Sequence, residues 1–205
     1  FYVAVCYAFK SKVEIAKTKL AFPTTLYFGN FKEAVGLANY FNSFKNSVIV
    51  AAFAILIVVV ICSMAAYIIT RRNDRFYNTM YYIFQLIILL PFQTIMFPLY
   101  RQLYQIHALN SLWGLVLVQA GTFVGYNVFL YSGFVKGISY SLEEAAKIDG
   151  CNRYQTFGKI VFPLLKPIHV TVIILTFLNS WNDFMVPMII CQKQDVRTLP
   201  LMQYF

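Results

Sequence analysis

Charge is scarce in this sequence. Only 12% of its 205 residues are charged, with Asp and Glu together numbering 8, while 60% are hydrophobic. Soluble domains carry about 25% charged and roughly 45–50% apolar residues. With a mean hydropathy of +0.63, the chain reads as an integral membrane protein rather than a soluble domain. Histidine is also rare: His107 and His169 stand apart from each other and from any carboxylate cluster. The cysteines Cys6, Cys62, Cys151 and Cys191 are scattered, with no CxxC or Cys/His spacing, so no metal or redox centre is expected. The sequence has no G-x4-GK[ST] phosphate-loop motif and no HExxH zinc-protease motif. It also has no nucleophile elbow and no paired acids within an apolar run, which argues against a membrane enzyme. The net charge of +9 comes without a continuous basic helix or an aromatic RNA-binding motif, so no nucleic-acid partner is expected. Basic loops flanking a lipid bilayer account for it more simply.

Long apolar runs are abundant. Four are complete: 47–70, 80–99, 113–135 and 168–190. Each is near the length of about 20 residues that crosses a bilayer as a helix. Lipid offers no partner to an open backbone donor, so the fold class expected is all-α, a polytopic transmembrane helix bundle. Residues 1–9 are apolar but too short to span, and read as the end of a first span. The chain reads as truncated at both ends. Long hydrophilic stretches lie at 10–46 and 136–167. Basic residues are balanced between the two sides in total. Those abutting spans directly are Arg71, Arg72, Lys136 and Lys166 on one side and Lys45 on the other. This places 136–167 in the cytoplasm and 10–46 outside.

The segment 141–167, SLEEAAKIDGCNRYQTFGKIVFPLLKP, predicts two short helices joined by a sharp bend. Ser141 and Glu144 have capping-box spacing, which predicts a helix from Leu142. Gly150 is suited to end it in a left-handed conformation. Asn152 and Gln155 repeat the cap spacing for a second helix, with Tyr154, Phe157 and Val161 on one face. Pro163 is expected to end that helix. Such helices suit either the membrane surface or a socket on a soluble partner, and periodicity does not choose between them.

Glu144, Ala145, Ala146, Asp149 and Gly150, followed by Phe157 and Pro163 at these offsets, resemble the EAA motif of MetI-like ABC-importer permeases. The pattern E-A-A-x2-D-G-x6-F-x5-P-x3-P, lying between two spans, is specific. Cys151 departs from it, standing where a residue such as Ala is usual. Leu90-Pro91-Phe92-Gln93, Phe97-Pro98-Leu99-Tyr100, His107-Ala108-Leu109-Asn110-Ser111, Trp181-Asn182-Asp183-Phe184 and Thr198-Leu199-Pro200-Leu201 resemble elements of the carbohydrate branch, in particular the smaller permease of maltose-type importers. The resemblance covers nearly the whole chain.

It implies the MetI-like permease fold, with 191–205 an extracytoplasmic segment before a missing last span. It also implies a bacterial cell-membrane subunit that translocates a carbohydrate and is not itself an enzyme. Glu144, Ala145, Ala146, Asp149, Gly150 and Phe157 would couple it to a cytoplasmic ABC ATPase dimer. ATP and Mg would be bound by that partner, with no cofactor on this chain. The further partners implied are a second homologous permease and an extracytoplasmic sugar-binding protein.

Asn179, Trp181 and Asn182 are candidates for the substrate pathway, because aromatic faces stack on sugar C–H faces and amides hydrogen-bond hydroxyls. Asp183 is a weaker candidate, and Trp is also ordinary interface material. Gly121-x3-Gly125 and Gly133-x3-Gly137 suggest close helix approach. Pro91 and Pro98 suggest a broken helix. An ABC permease for amino acids or peptides is the nearer alternative function. An ion-coupled secondary transporter is more distant, since Asp183 is the only charged residue in the four runs.

Overall fold

The computed structural model describes residues 1–37, 39–72 and 74–204, and every regular element among them is helical. Three short helices open the chain: α1 (Tyr2–Ala8), α2 (Lys12–Lys17) and α3 (Gly29–Leu37). The bundle follows, with α4 (Tyr40–Arg71), α5 (Arg75–Leu89), α6 (Phe92–Gln105) and α7 (Leu112–Lys136). Then come α8 (Ser141–Ile148), α9 (Arg153–Thr156), a π-helical turn (Phe157–Val161) and α10 (Phe162–Leu164). The chain continues as α11 (Lys166–Asn182), α12 (Met185–Ile190), a 3-10 turn (Gln194–Val196) and α13 (Leu199–Met202).

Helices α4 and α7 are each long and apolar enough to cross a membrane. The pairs α5–α6 and Arg153–Leu164 with α11 meet the same test only when each is taken together, and they bend by 102° and 75°. The break between α5 and α6 falls at Leu90 and Pro91. Leu90 is extended (φ −82°, ψ 116°), the conformation that a following proline enforces. Pro98 sits inside α6 without ending it. The broken helix expected there is therefore present, and Pro91 is its cause.

Helices α4 and α7 form the central pair, with α11 packed on α4 and α5 on α7. The buried stripe of α4 is mostly small: Ala51, Ala54, Val58, Cys62, Ala66 and Ile69, at helical spacing. Small side chains let backbones approach, and close packing holds helices together where lipid is as apolar as the interface. Tyr131, Val128 and Val135 of α7 meet this stripe, and Val161, Leu165 and Val172 close the cluster. Of the two glycine pairs, only Gly125 admits a neighbouring helix closely: a Cβ there would lie 2.7 Å from the Phe84 carbonyl oxygen of α5. Gly121 and Gly133 face open space.

The opposite end of the bundle from α8 is closed by residues 191–202. Asn46 Nδ2 donates to the carbonyls of Asp195 (2.8 Å) and Arg197 (3.0 Å), and Leu199 N donates to Ser47 Oγ (2.9 Å). Leu201 is buried with Val50, Leu115 and Ile190. His169 is a packed residue. Its Nε2 donates to the Phe162 carbonyl (3.1 Å) and its Nδ1 is paired with the Tyr131 hydroxyl (2.7 Å), so both ring nitrogens are occupied within the bundle.

A helical elbow at one end of the bundle

Residues 141–165 fold back as an elbow beside the ends of α4 and α7. The Ser141–Glu144 capping box is not formed. Helix α8 begins one residue early, so Ser141 already has helical geometry and its hydroxyl cannot cap; no side chain caps α8. Ser139 Oγ accepts from Ser141 N instead (3.3 Å). Glu144 is exposed and, among the described residues, its carboxylate makes no hydrogen bond or ion pair.

The neighbouring acid, which sequence reasoning missed, is the anchored one. Glu143 is buried, and its Oε1 takes the Arg71 Nε at 2.6 Å while Oε2 accepts from the Tyr67 hydroxyl at 2.7 Å. Arg71 also donates through Nη2 to the Ile138 carbonyl (2.8 Å) and lies over the Tyr140 ring. Glu143 and Ala146, three apart, share the buried face of α8. Glu144, Ala145 and Asp149 are left on the exposed side. The hint in the sequence was an acid that a helical repeat puts on the same face as Ala146, while the preceding span ends in arginine.

Gly150 has φ +84°. Its amide donates to the Lys147 carbonyl (3.0 Å) and that of Cys151 to the Ala146 carbonyl (2.9 Å). These are the two bonds of a Schellman stop, which requires a left-handed residue at this position. The second capping box is present: Gln155 N donates to Asn152 Oδ1 (2.9 Å) and Asn152 N to Gln155 Oε1 (2.8 Å).

Pro163 does not end the second helix. The chain stays helical through the π turn and α10 to Leu164, and bends at the buried Leu165. A π turn widens the ladder just before the proline and moves carbonyls away from its ring, relieving the clash that ordinarily stops a helix. Phe157 is half-buried against Tyr67 (5.3 Å) and Phe162 (5.7 Å). Tyr154, expected on the same face as Val161, is 82% exposed, and Ile148 is 86% exposed. The elbow thus presents Glu144, Ala145, Ile148, Asp149 and Tyr154 outward from a fixed base.

The other candidate group lies at the far end of α11. Asn179 and Asn182 are exposed, three apart on one face. Asn182 Nδ2 donates to the Leu178 carbonyl (2.7 Å), and Trp181 stacks on Phe177 and meets Phe44 edge-on. Asp183 is held internally: Oδ2 accepts from Gln119 Nε2 (2.9 Å), and Oδ1 accepts from Val186 N in the first turn of α12 (3.2 Å). Ser180 Oγ donates to Gln119 Oε1 (2.6 Å). Gln119 is wholly buried in α7, so these bonds lock the α11–α12 break to the central pair. The structure does not bring this group together with the elbow.

The model of the inner membrane component of binding-protein-dependent transport systems matches residues 57–204, the span that holds both groups. The chain belongs to this family. The permease is 38% identical to a probable starch degradation products transport system permease protein of Thermoanaerobacterium thermosulfurigenes, over all of this chain and 74% of that one. It is 38% identical to a multiple sugar-binding transport system permease protein of Streptococcus mutans, covering 98% of this chain and 74% of that one. It is also 35% identical to a melibiose/raffinose/stachyose import permease protein of Bacillus subtilis, over 97% of this chain and 72% of the relative. In fold, the permease is similar to the crystal structure of a bacterial ABC transporter involved in the import of the acidic polysaccharide alginate. The TM-score is 0.85 at 20% identity, covering 99% of this chain and 71% of that one. The membrane location, the all-helical class and the MetI-like resemblance read from the sequence all agree with these matches.

Proposed function

We propose that this permease moves a carbohydrate across the membrane as one of two similar spanning subunits, with the energy entering at the elbow. The observation that carries this reading is the pairing of an outward surface with an inward anchor on one short helix. Glu144, Ala145 and Asp149 face outward from α8, while Glu143 ties the same helix to Arg71 and Tyr67 at the end of α4. A force applied to the outer face of α8 therefore reaches α4, and through it the central pair, without bending a loop. That suits an ATPase dimer on the cytoplasmic side that binds ATP and Mg itself, and rigid-body alternation of access. The saccharide names of the relatives support a carbohydrate. An external binding protein would deliver it at the end closed by residues 191–202. Asn179, Trp181 and Asn182 are the side chains proposed to line the sugar's route there.

The test is ATP hydrolysis by the reconstituted full-length complex with its binding protein, offered saccharides, amino acids or peptides. Stimulation by saccharides alone is expected. Stimulation by amino acids or peptides and not by any saccharide would overturn the assignment.

A further inference from the structure

A cavity of about 300 Å³ opens between the end of α4, the start of α5 and the inner side of the elbow. Four cations line it: Arg71, Arg72, Lys147 and Arg153, against the single carboxylate of Glu143. Glu143 is already paired with Arg71. Among the described residues no acid lies within ion-pair distance of Arg72, Lys147 or Arg153. Two of these three are held in place by neutral groups rather than by an acid. Arg72 Nη1 donates to the Tyr77 hydroxyl (3.1 Å) and Lys147 Nζ to the Tyr140 hydroxyl (3.1 Å). Both also lie over the faces of those rings, at 5.1 Å. Beyond these groups and their tyrosine partners, the wall is formed by Met64, Ile68 and Phe157 with the rings of Tyr67 and Tyr154, and Ile68 is 41% exposed on the outside of α4. The cavity thus joins a cationic pocket to an apolar flank, at the level where the apolar run of α4 gives way to Arg71 and Arg72.

We propose that this cavity binds the phosphate of an anionic phospholipid headgroup, with the acyl chains leaving along α4. Basic pockets between spanning helices on the cytoplasmic side suit such headgroups. Guanidinium groups pair well with phosphate oxygens, and phenols at this level are ordinary interface residues. A soluble phosphate would share the cationic contacts but gain nothing from the apolar flank, which is why a lipid is favoured. The inference rests on the proposed placement of the elbow at the cytoplasmic membrane surface. It does not rest on the identity of the transported solute.

The test uses the intact full-length complex in mild detergent, titrated with phosphatidylglycerol or phosphatidylcholine, with retained lipid counted by native mass spectrometry. The wild type should retain phosphatidylglycerol preferentially. The double variant Lys147→Gln/Arg153→Gln should lose that preference by about tenfold or more, each cation contributing near the membrane surface. Arg153→Lys should keep most of it, and Lys193→Gln, at the other end of the bundle, should keep all of it. Unchanged thermal unfolding separates lost binding from lost folding; if the double variant unfolds, Arg153→Gln against Arg153→Lys makes the same comparison. Equal retention by the wild type and the Gln variants would overturn the proposal. So would displacement of the lipid by tens of millimolar inorganic phosphate, which would assign the pocket to a soluble anion. Because binding is read without sugar or ATP, its failure is distinct from failure of the transport reading.

Discussion

At the residue scale, the adjacent acids Glu143 and Glu144 divide two roles. Glu144 was legible through its motif, but the cap it was expected to form is absent, and its carboxylate is exposed with no partner among the described residues. Substitution should therefore leave the fold alone. Glu144→Gln and Glu144→Ala are both expected to unfold at the wild-type temperature and both to lower substrate-stimulated ATP hydrolysis, because a charged contact to a partner is lost in each. Wild-type hydrolysis by Glu144→Gln would remove the charge from the account. Glu143 was not legible, because which face of α8 is covered depends on where α4 ends in space. Its pair with Arg71 is buried, and removing one partner of such a pair costs on the order of 3 kcal/mol. Glu143→Ala should lower thermal stability measurably. Replacing both partners by apolar residues, as in Glu143→Leu/Arg71→Met, should recover much of the loss. Additive losses in that double-mutant cycle would mean that the two side chains do not act as a pair.

At the element scale, signals written in local backbone chemistry were readable. Pro91 breaks its helix, Gly150 stops α8, and Asn152 with Gln155 caps α9. Signals that depend on a neighbouring turn were not. Ser141 lost its cap because the helix began one residue early, and Pro163 lost its stop because a π turn precedes it. The Gly150 stop yields a direct expectation. A β-branched residue at φ +84° carries a penalty of about 1–2 kcal/mol, although no neighbouring atom would block its Cβ. Gly150→Val should therefore insert into the membrane normally but lose coupling, seen as low stimulated hydrolysis with normal membrane levels. Full activity would show that the turn need not hold this geometry.

At the scale of the whole molecule, the apolar runs announced a membrane bundle, but not which helices form the central pair. That depends on the small-residue stripe of α4 meeting α7, and on Gly125 admitting α5. Composition does not encode these contacts. Orientation has a native probe, since Cys151 is partly exposed while Cys6, Cys62 and Cys191 are buried. A membrane-impermeant maleimide should leave Cys151 unlabelled in intact cells, yet label a Ser11→Cys variant; the reverse pattern would invert the topology. The central claim, an ATP-driven carbohydrate permease, is met most directly by uptake. Proteoliposomes holding the full-length complex, with ATP supplied on the elbow side and binding protein on the other, should accumulate labelled oligosaccharide. That uptake should persist with a protonophore present and stop when ATP is omitted. Uptake that needs an ion gradient and continues without ATP would contradict it.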